Sequence, residues 1–355
     1  MTLEELTTKL ISFKTISGNH NEVKKAFDFV RKYLGKKYYY KTFCYNNFYS
    51  MLISNTNNFC DFDILFNGHM DVVKANDSDF TARIEGDKLY GRGSIDMKGQ
   101  IAVLLDIFKN NTYTKHVGIL LTSDEEIGGE NGVKSVLDNN DIRAKIVIVP
   151  DAGENFTFVD SEKALLQLDL VTTGISAHAS RPNLGKNAIL TAVNVYKNLC
   201  ELYGLDINSP VNDDISINLS KISSGDLYNK VPDNALWSID IRYSNIKRKD
   251  LEKNIAKVCK ANNTTYSIVN AAEEFKCNLK SNEVIKFIKS CEKFLGKPLE
   301  HIKVYGASDI HYFSNLGMSC VSINPEGYNL HADNEYVSIA SLKKYEQMIE
   351  FYLNN

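Results

Sequence analysis

No apolar run in this chain approaches the roughly 20 residues that a membrane-spanning helix requires. A helical membrane protein is therefore not expected. The N-terminal MTLEELTTKL reads as the start of an acidic amphipathic helix, without the basic region or apolar core of a signal peptide. No CxxC pair occurs among the seven cysteines, Cys44, Cys60, Cys200, Cys259, Cys277, Cys291 and Cys320. An odd number of scattered cysteines reads as free thiols in a reducing cytosol, so the expected location is cytoplasmic. Nor is there an excess of one charge: 41 Lys and Arg stand against 44 Asp and Glu, a net charge of -3. That balance argues against a nucleic-acid or anionic-membrane partner. Low-complexity segments and internal repeats are also missing.

What is present fits an ordinary globular protein. Hydrophobic residues make up 43% and charged residues 24% of 355 positions. That length exceeds one compact core and suits two domains.

The first 35 residues read as helices, with Val23, Ala26, Phe27, Val30 and Leu34 at helical spacing. YYYKTF, SMLIS, DILFN and the KLYG segment read as strands. MKGQIAVLLDIFKN reads as a helix opened by the SIDMKG turn. VGILLTS and AKIVIVP read as strands around a short helix, NGVKSVLDN. Continuously apolar strands alternating with helices predict an α/β fold, a mainly parallel sheet with helices on both faces.

The pattern changes after about residue 162. ALLQLDLVTT, a helix at NAILTAVNVYKNLCELYG, DISINLSKI, ALWSIDIRY, a helix at DLEKNIAKVCKAN and TYSIVNA follow in turn. That order predicts a ferredoxin-like α+β unit, inserted over residues 163–272 as a lid or dimerisation domain. A discontinuous metal-binding domain would then comprise residues 1–162 and 273–355. It is completed by the helix NEVIKFIKSCEKFL, the strand MSCVSIN and a final helix near SLKKYEQMIEFYL.

In parallel sheets, ligands bind beyond the carboxyl ends of the strands. DILFN runs into His69 and Asp71, VGILLTS into Glu125 and Glu126, and IVIVP into Asp151. Three strands thus deliver metal-type side chains to one sheet edge. Asp96 and the late His331 extend the set to the ligand inventory of a two-metal hydrolase. Zinc takes histidine nitrogen and carboxylate oxygen, leaving a position for water. The charges also balance: two divalent ions bring +4, against Asp96, Glu126, Asp151 and one shared hydroxide. Adjacent carboxylates at a strand end repel, which favours a nearby cation or a raised pKa. Glu125 and Glu126 diverge, so one can bind metal while the other overlooks the water as general base. Asp71, two residues after His69, is placed to accept its other ring N–H.

Singly, each pattern has a plain reading. HxD is common by chance, DEE is usually a solvated loop, Asp96 could cap a helix, and His331 could be a surface histidine. In this order, however, the chain resembles the dinuclear-zinc amidohydrolases and metallopeptidases. That family includes succinyl-diaminopimelate desuccinylase, acetylornithine deacetylase, glutamate carboxypeptidase, aminoacylase and several dipeptidases. The resemblance rests on GHMDVV, LYGRGSIDMKG, SDEEIGG, the PD step, SAHASRP, NKVPDNA, DIRY, GASDIHYF and LHADNEYV, which span nearly the whole chain.

The resemblance implies that His69, Asp96 and Asp151 bind one zinc, and that Asp96 (bridging), Glu126 and His331 bind the other. Cobalt or manganese could replace zinc. Glu125 would be the general base and Asp71 would orient His69. His178 would stabilise the oxyanion, often across a dimer interface, and Asn229 and Arg242 would hold the substrate's carboxylate end. Arg242 could instead form a strand-end salt bridge, and Asn229 could be a turn residue. His311 lies on an expected helix and is set aside in favour of His331; His20, His116 and His301 read as surface residues. Two positions depart from the family pattern: Lys74 replaces the usual proline, and Asp151 replaces the Glu of its deacylases and carboxypeptidases. The expected activity is amide hydrolysis of a small N-acyl amino acid, in a homodimer joined through the inserted domain. The alternatives are a dipeptidase or aminopeptidase, which Asp151 favours, and a non-catalytic metal-binding protein.

Overall fold

Strands with no polar alternation need cover on both faces, and the first half of the chain finds it. The structure, a computed structural model, describes residues 1–355. Its main sheet has six strands in the order Tyr39–Tyr45, Phe48–Ser54, Val117–Thr122, Asp61–His69, Arg143–Ile148 and Ser319–Val321. The last four are mutually parallel, and Phe48–Ser54 is antiparallel to both of its neighbours. Alternate residues of each central strand enter opposite cores. Ile64, Phe66, Ile119, Leu121, Ile146 and Ile148 join one cluster. Leu65, Leu120 and Val147 join the other. The helices Leu3–Ile11, His20–Leu34, Lys98–Asn110 and Ile339–Asn354 contribute to the first; Ser135–Asn139 and Ile310–Asn315 contribute to the second. The expected α/β architecture is present, and no helix is long and apolar enough to cross a membrane.

The chain divides into two compact units. One comprises Met1–Glu162, Phe275–Val304 and Ser308–Asn355; the other comprises Lys163–Glu274 and Tyr305–Ala307. The second holds an antiparallel sheet in the order Ile215–Ser224, Asn234–Tyr243, Ala164–Thr173 and Thr264–Ala272. Residues from helices Ala188–Leu202 and Arg248–Ala261 share a core with inward positions of that sheet, such as Leu166, Leu168, Trp237 and Ile239. The βαββαβ order and this strand order make a ferredoxin-like arrangement. The sequence pattern gave no sign that the returning Tyr305–Ala307 joins this unit. There, Lys163 Nζ lies 5.0 Å from the centre of the Tyr305 ring.

At the end of the strand Phe158–Glu162, Glu162 is 2% exposed and accepts hydrogen bonds from Ser308 N (2.8 Å) and Ser308 Oγ. Burial pushes its carboxyl from 4.5 up to about 8. Between those values the folded protein keeps a proton that the unfolded chain has released, so this group makes stability fall as pH rises. Glu162→Gln should flatten that fall, because the amide stays neutral and still accepts the Ser308 N–H. Urea midpoints measured at pH 5 and pH 8.5 should lie closer together in the variant; an unchanged gap would remove Glu162 as a source of the slope.

Candidate metal centre

Strand ends, one glycine-bounded loop and the separate loop that carries His331 build this centre, all within the first unit. His69 is the last residue of its strand, and Glu125 and Glu126 follow Val117–Thr122 in a short 3-10 turn. Asp151 lies three residues beyond Arg143–Ile148. Asp96 comes from the loop before the helix Lys98–Asn110. In that loop Gly93 has φ +84°, and a Cβ there would lie 2.9 Å from Val72 Cγ1, so neither conformation nor space admits a larger residue.

The ligand atoms converge. His69 Nε2 lies 3.0 Å from Asp96 Oδ1 and 3.3 Å from Asp151 Oδ1. His331 Nε2 lies 3.0 Å from both Asp96 Oδ2 and Glu126 Oε2. The two oxygens of Asp96 therefore face two different imidazoles, which is the disposition of a bridging carboxylate. Donors placed tetrahedrally about 2.1 Å from one ion are separated by roughly 3.4 Å, close to these spacings. The ligand atoms of His69, Glu125 and Asp151 also lie within 4.8 Å of one another, as do those of His69, Asp96 and Glu126.

Four carboxylates and two imidazoles in one pocket demand positive charge. Side-chain exposure is 1% at His69, 5% at Glu126, 6% at Asp151 and 10% at Asp96. Burial raises Glu125, Glu126 and Asp151, and the charge of Asp151 adds to the rise at Glu125. Burial opposes ionisation of Asp96 too, but the imidazoles of His331 and His69 outweigh it and hold that carboxyl low. Hydrogen bonds to Asp96 and Glu126 push His331 up to about 10. Divalent cations meet the same demand and leave the imidazoles neutral as ligands. The donor set fits a pair of such ions.

Asp71 is placed differently from expectation. His69 Nδ1 is 3.0 Å from the Asp71 backbone oxygen, while the nearest Asp71 carboxylate oxygen is 3.7 Å away, beyond hydrogen-bond reach. That carboxylate instead accepts from Glu125 N and Glu126 N (3.2 Å each) and from Ser17 Oγ (2.8 Å). The backbone carbonyl orients the imidazole, and the side chain fixes the turn carrying both glutamates. The sequence could not separate these roles, since both atoms belong to the same residue. Asp71→Asn sets an amide NH2 against one of those donors. It should lower kcat by roughly ten- to a hundredfold, measured alongside metal content; unchanged kcat would show that the turn holds itself.

In the second unit, His178 is exposed and its Nδ1 lies 2.8 Å from Ser180 Oγ. It forms an isolated bridge with Lys230, and Ala179 N donates to Asn229 O, so His178 and Asn229 are neighbours. Arg242 is not beside them. It pairs with Leu165 near the opposite end of the sheet, eight positions along the strand from Asn234, which pairs with Thr173. At about 3.3 Å per residue that is roughly 26 Å. The guanidinium donates to both oxygens of Asp240, at 2.7 and 3.1 Å. Within one chain, then, Asn229 and Arg242 are not brought together as one carboxylate clamp.

His311 is on the helix Ile310–Asn315, and burial pulls it down to about 4. Its Nδ1 faces Ser308 O at 2.8 Å. His301 pairs with Asp160 at 2.7 Å, His116 stacks on Phe62, and His20 meets Phe48 edge-on. The sequence reading missed Lys98, whose fully buried Nζ donates to Phe13 O at 2.8 Å and is pulled by burial to about 7. It also missed Glu335 and Arg92, a buried pair joined at 2.9 Å. All three lie inside motifs that carry the resemblance, LYGRGSIDMKG and LHADNEYV, but spacing alone does not separate them from solvated charges.

Residues 65–355 match the model of peptidase family M20/M25/M40. The [LysW]-lysine/[LysW]-ornithine hydrolase of Sulfurisphaera tokodaii is 29% identical over 346 residues, covering 95% of this chain and 90% of that protein. The succinyl-diaminopimelate desuccinylase of Rickettsia bellii is 26% identical over 366 residues, covering 94% and 92%. Among solved structures, a tripeptidase from Staphylococcus aureus aligns with a TM-score of 0.81 at 18% identity, covering 99% and 96%. An M20 family metallo-carboxypeptidase from Sulfolobus solfataricus aligns with a TM-score of 0.81 at 21% identity, covering 99% and 98%. These structural likenesses are likenesses of fold.

Proposed function

The chain belongs to peptidase family M20/M25/M40, and from that premise we propose that it cleaves the amide bond of a small N-acyl amino acid, as a desuccinylase or deacetylase does. The observation that carries the reading is the split of Asp96 between His69 and His331, with the Glu125 carboxyl grouped beside His69 and Asp151. His69, Asp96 and Asp151 would hold one divalent ion, and Asp96, Glu126 and His331 the other; zinc suits the donors, with cobalt or manganese as substitutes. Such ions supply a water ionised near neutral pH and polarise the scissile carbonyl.

The chain's own residues do the rest. Glu125 accepts the water's proton and returns it to the leaving amine. Burial and the neighbouring Asp151 raise its affinity for that proton. Asp71 holds the Glu125–Glu126 backbone in place. His178 donates to the oxyanion, with Asn229 beside it. Arg242 binds the substrate carboxylate by exchanging Asp240 for it, a bidentate match. Because His178 and Arg242 lie towards opposite ends of one sheet, a small substrate cannot reach both in a single chain. A homodimer through the second unit, with His178 and Asn229 serving the partner copy's centre, resolves this. All seven cysteines are free, which suits a reducing cytoplasm.

The shorter Asp151 favours a second reading, a dipeptidase or aminopeptidase using the same centre. Metal analysis should find two divalent ions per chain. A panel of succinyl-amino acids, acetyl-amino acids and free-amine dipeptides, each assayed with zinc, cobalt and manganese, should show turnover of the acylated substrates. Turnover confined to free-amine dipeptides would establish the second reading. Two bound ions without hydrolysis of any substrate would favour a non-catalytic metal-binding protein.

A further inference from the structure

His331 is 56% exposed at its side chain and adopts φ +60°, a backbone region that non-glycine residues seldom visit. Burial does not hold it, so its position must come from the surrounding loop. One buried pair grips that loop. Arg92, 5% exposed, donates through one nitrogen to Glu335 Oε2 (2.9 Å) and through the other to Ala332 O (3.0 Å), the residue next to His331 and 240 positions away.

Glu335, 3% exposed, uses all its acceptor capacity on the loop that carries Asp96. Its Oε2 also takes Gly93 N at 2.9 Å, and its Oε1 takes Ile95 N and Asp96 N at 3.1 and 3.2 Å. Gly91 N donates to the Glu335 backbone oxygen at 3.0 Å, closing the junction from the other side. A single carboxylate–guanidinium pair therefore fixes the backbone at the bridging carboxylate and beside the most exposed ligand. Neither residue comes from a strand end of the main sheet, and neither offers an atom to the ligand cluster.

We propose that Glu335, acting with Arg92, is a positioning residue for the Asp96–Glu126–His331 ion, and that its loss weakens that ion selectively. This rests on the two-metal reading of the centre. Glu335→Gln keeps the size of the side chain but turns an NH2 toward backbone donors and strips Arg92 of its counter-charge. Stripped protein should be titrated with zinc by calorimetry and with cobalt by visible absorption, with melting temperatures recorded for the metal-free forms.

Wild type should take two ions. Glu335→Gln should bind the Asp96–Glu126–His331 ion about ten- to a hundredfold more weakly and the His69–Asp96–Asp151 ion much less so, since only Asp96 is common to both. In a His331→Ala background, Glu335→Gln should produce a smaller further loss than it does in wild type. A lower melting temperature with both affinities intact, or equal weakening of both ions, would overturn the proposal. If Glu335→Gln does not accumulate, Arg92→Lys carries the test, because one ammonium cannot span Glu335 and Ala332 O; two wild-type affinities there would likewise overturn it. A wild-type protein that binds no metal would instead defeat the underlying reading, a separate outcome.

Discussion

Glu125→Gln should retain two divalent ions per chain and lose nearly all turnover, with kcat down by about 10²- to 10⁴-fold. The amide matches the carboxylate in shape and leaves Glu125 N free to donate to Asp71 as before. What it cannot do is take a proton. Glu125 is grouped with His69 and Asp151 but stands outside the two three-residue ligand sets centred on Asp96. Its loss should therefore spare binding of the ions and of substrate, and KM should move little. Near-normal kcat would remove the general-base assignment. Loss of one ion in step with activity would make Glu125 a ligand, and Glu126 the candidate base.

Mixing two inactive variants should restore activity. His178→Ala alone should keep both ions and lower kcat by about 10²- to 10³-fold, the usual cost of an oxyanion donor. If His178 serves the partner's centre, a dimer of one Glu125→Gln chain and one His178→Ala chain has one centre with both functional groups and one with neither. Random re-association makes half the dimers mixed, so about a quarter of wild-type activity should return. The reason to expect this is the sheet itself, which sets His178 and Asn229 beyond its Thr173–Asn234 end and Arg242 near its Ala164–Tyr243 end. Restoration to no more than the sum of the parents would assign His178 to its own chain or to no catalytic role.

The convergence of the strand-end residues was readable from sequence because each sits beside a strong local signal. His69, Glu125, Glu126 and Asp151 follow apolar runs whose length and lack of alternation mark buried parallel strands. Adjacent parallel strands necessarily present their carboxyl ends on one edge. Likewise βαββαβ order was visible in the periodicities after residue 162, although the return of Tyr305–Ala307 to that unit was not. Asp71 shows the limit: its position near His69 was legible, but which of its atoms meets the imidazole depends on backbone torsions that no spacing specifies.

The sequence by itself pointed to the α/β and ferredoxin-like architectures and to the convergence of His69, Asp96, Glu126, Asp151 and His331. Periodicity tells which face of a strand or helix is buried, and chain direction tells which strand end a residue leaves from. Only the tertiary structure decided that Glu335 and Arg92 lock the Asp96 and His331 loops together, that Asp71 serves the Glu125 turn, and that Arg242 stands far from Asn229. Those arrangements depend on which distant segments become neighbours and in what register. Local pattern carries no record of that, because a buried charged pair and a solvated one are written with the same letters.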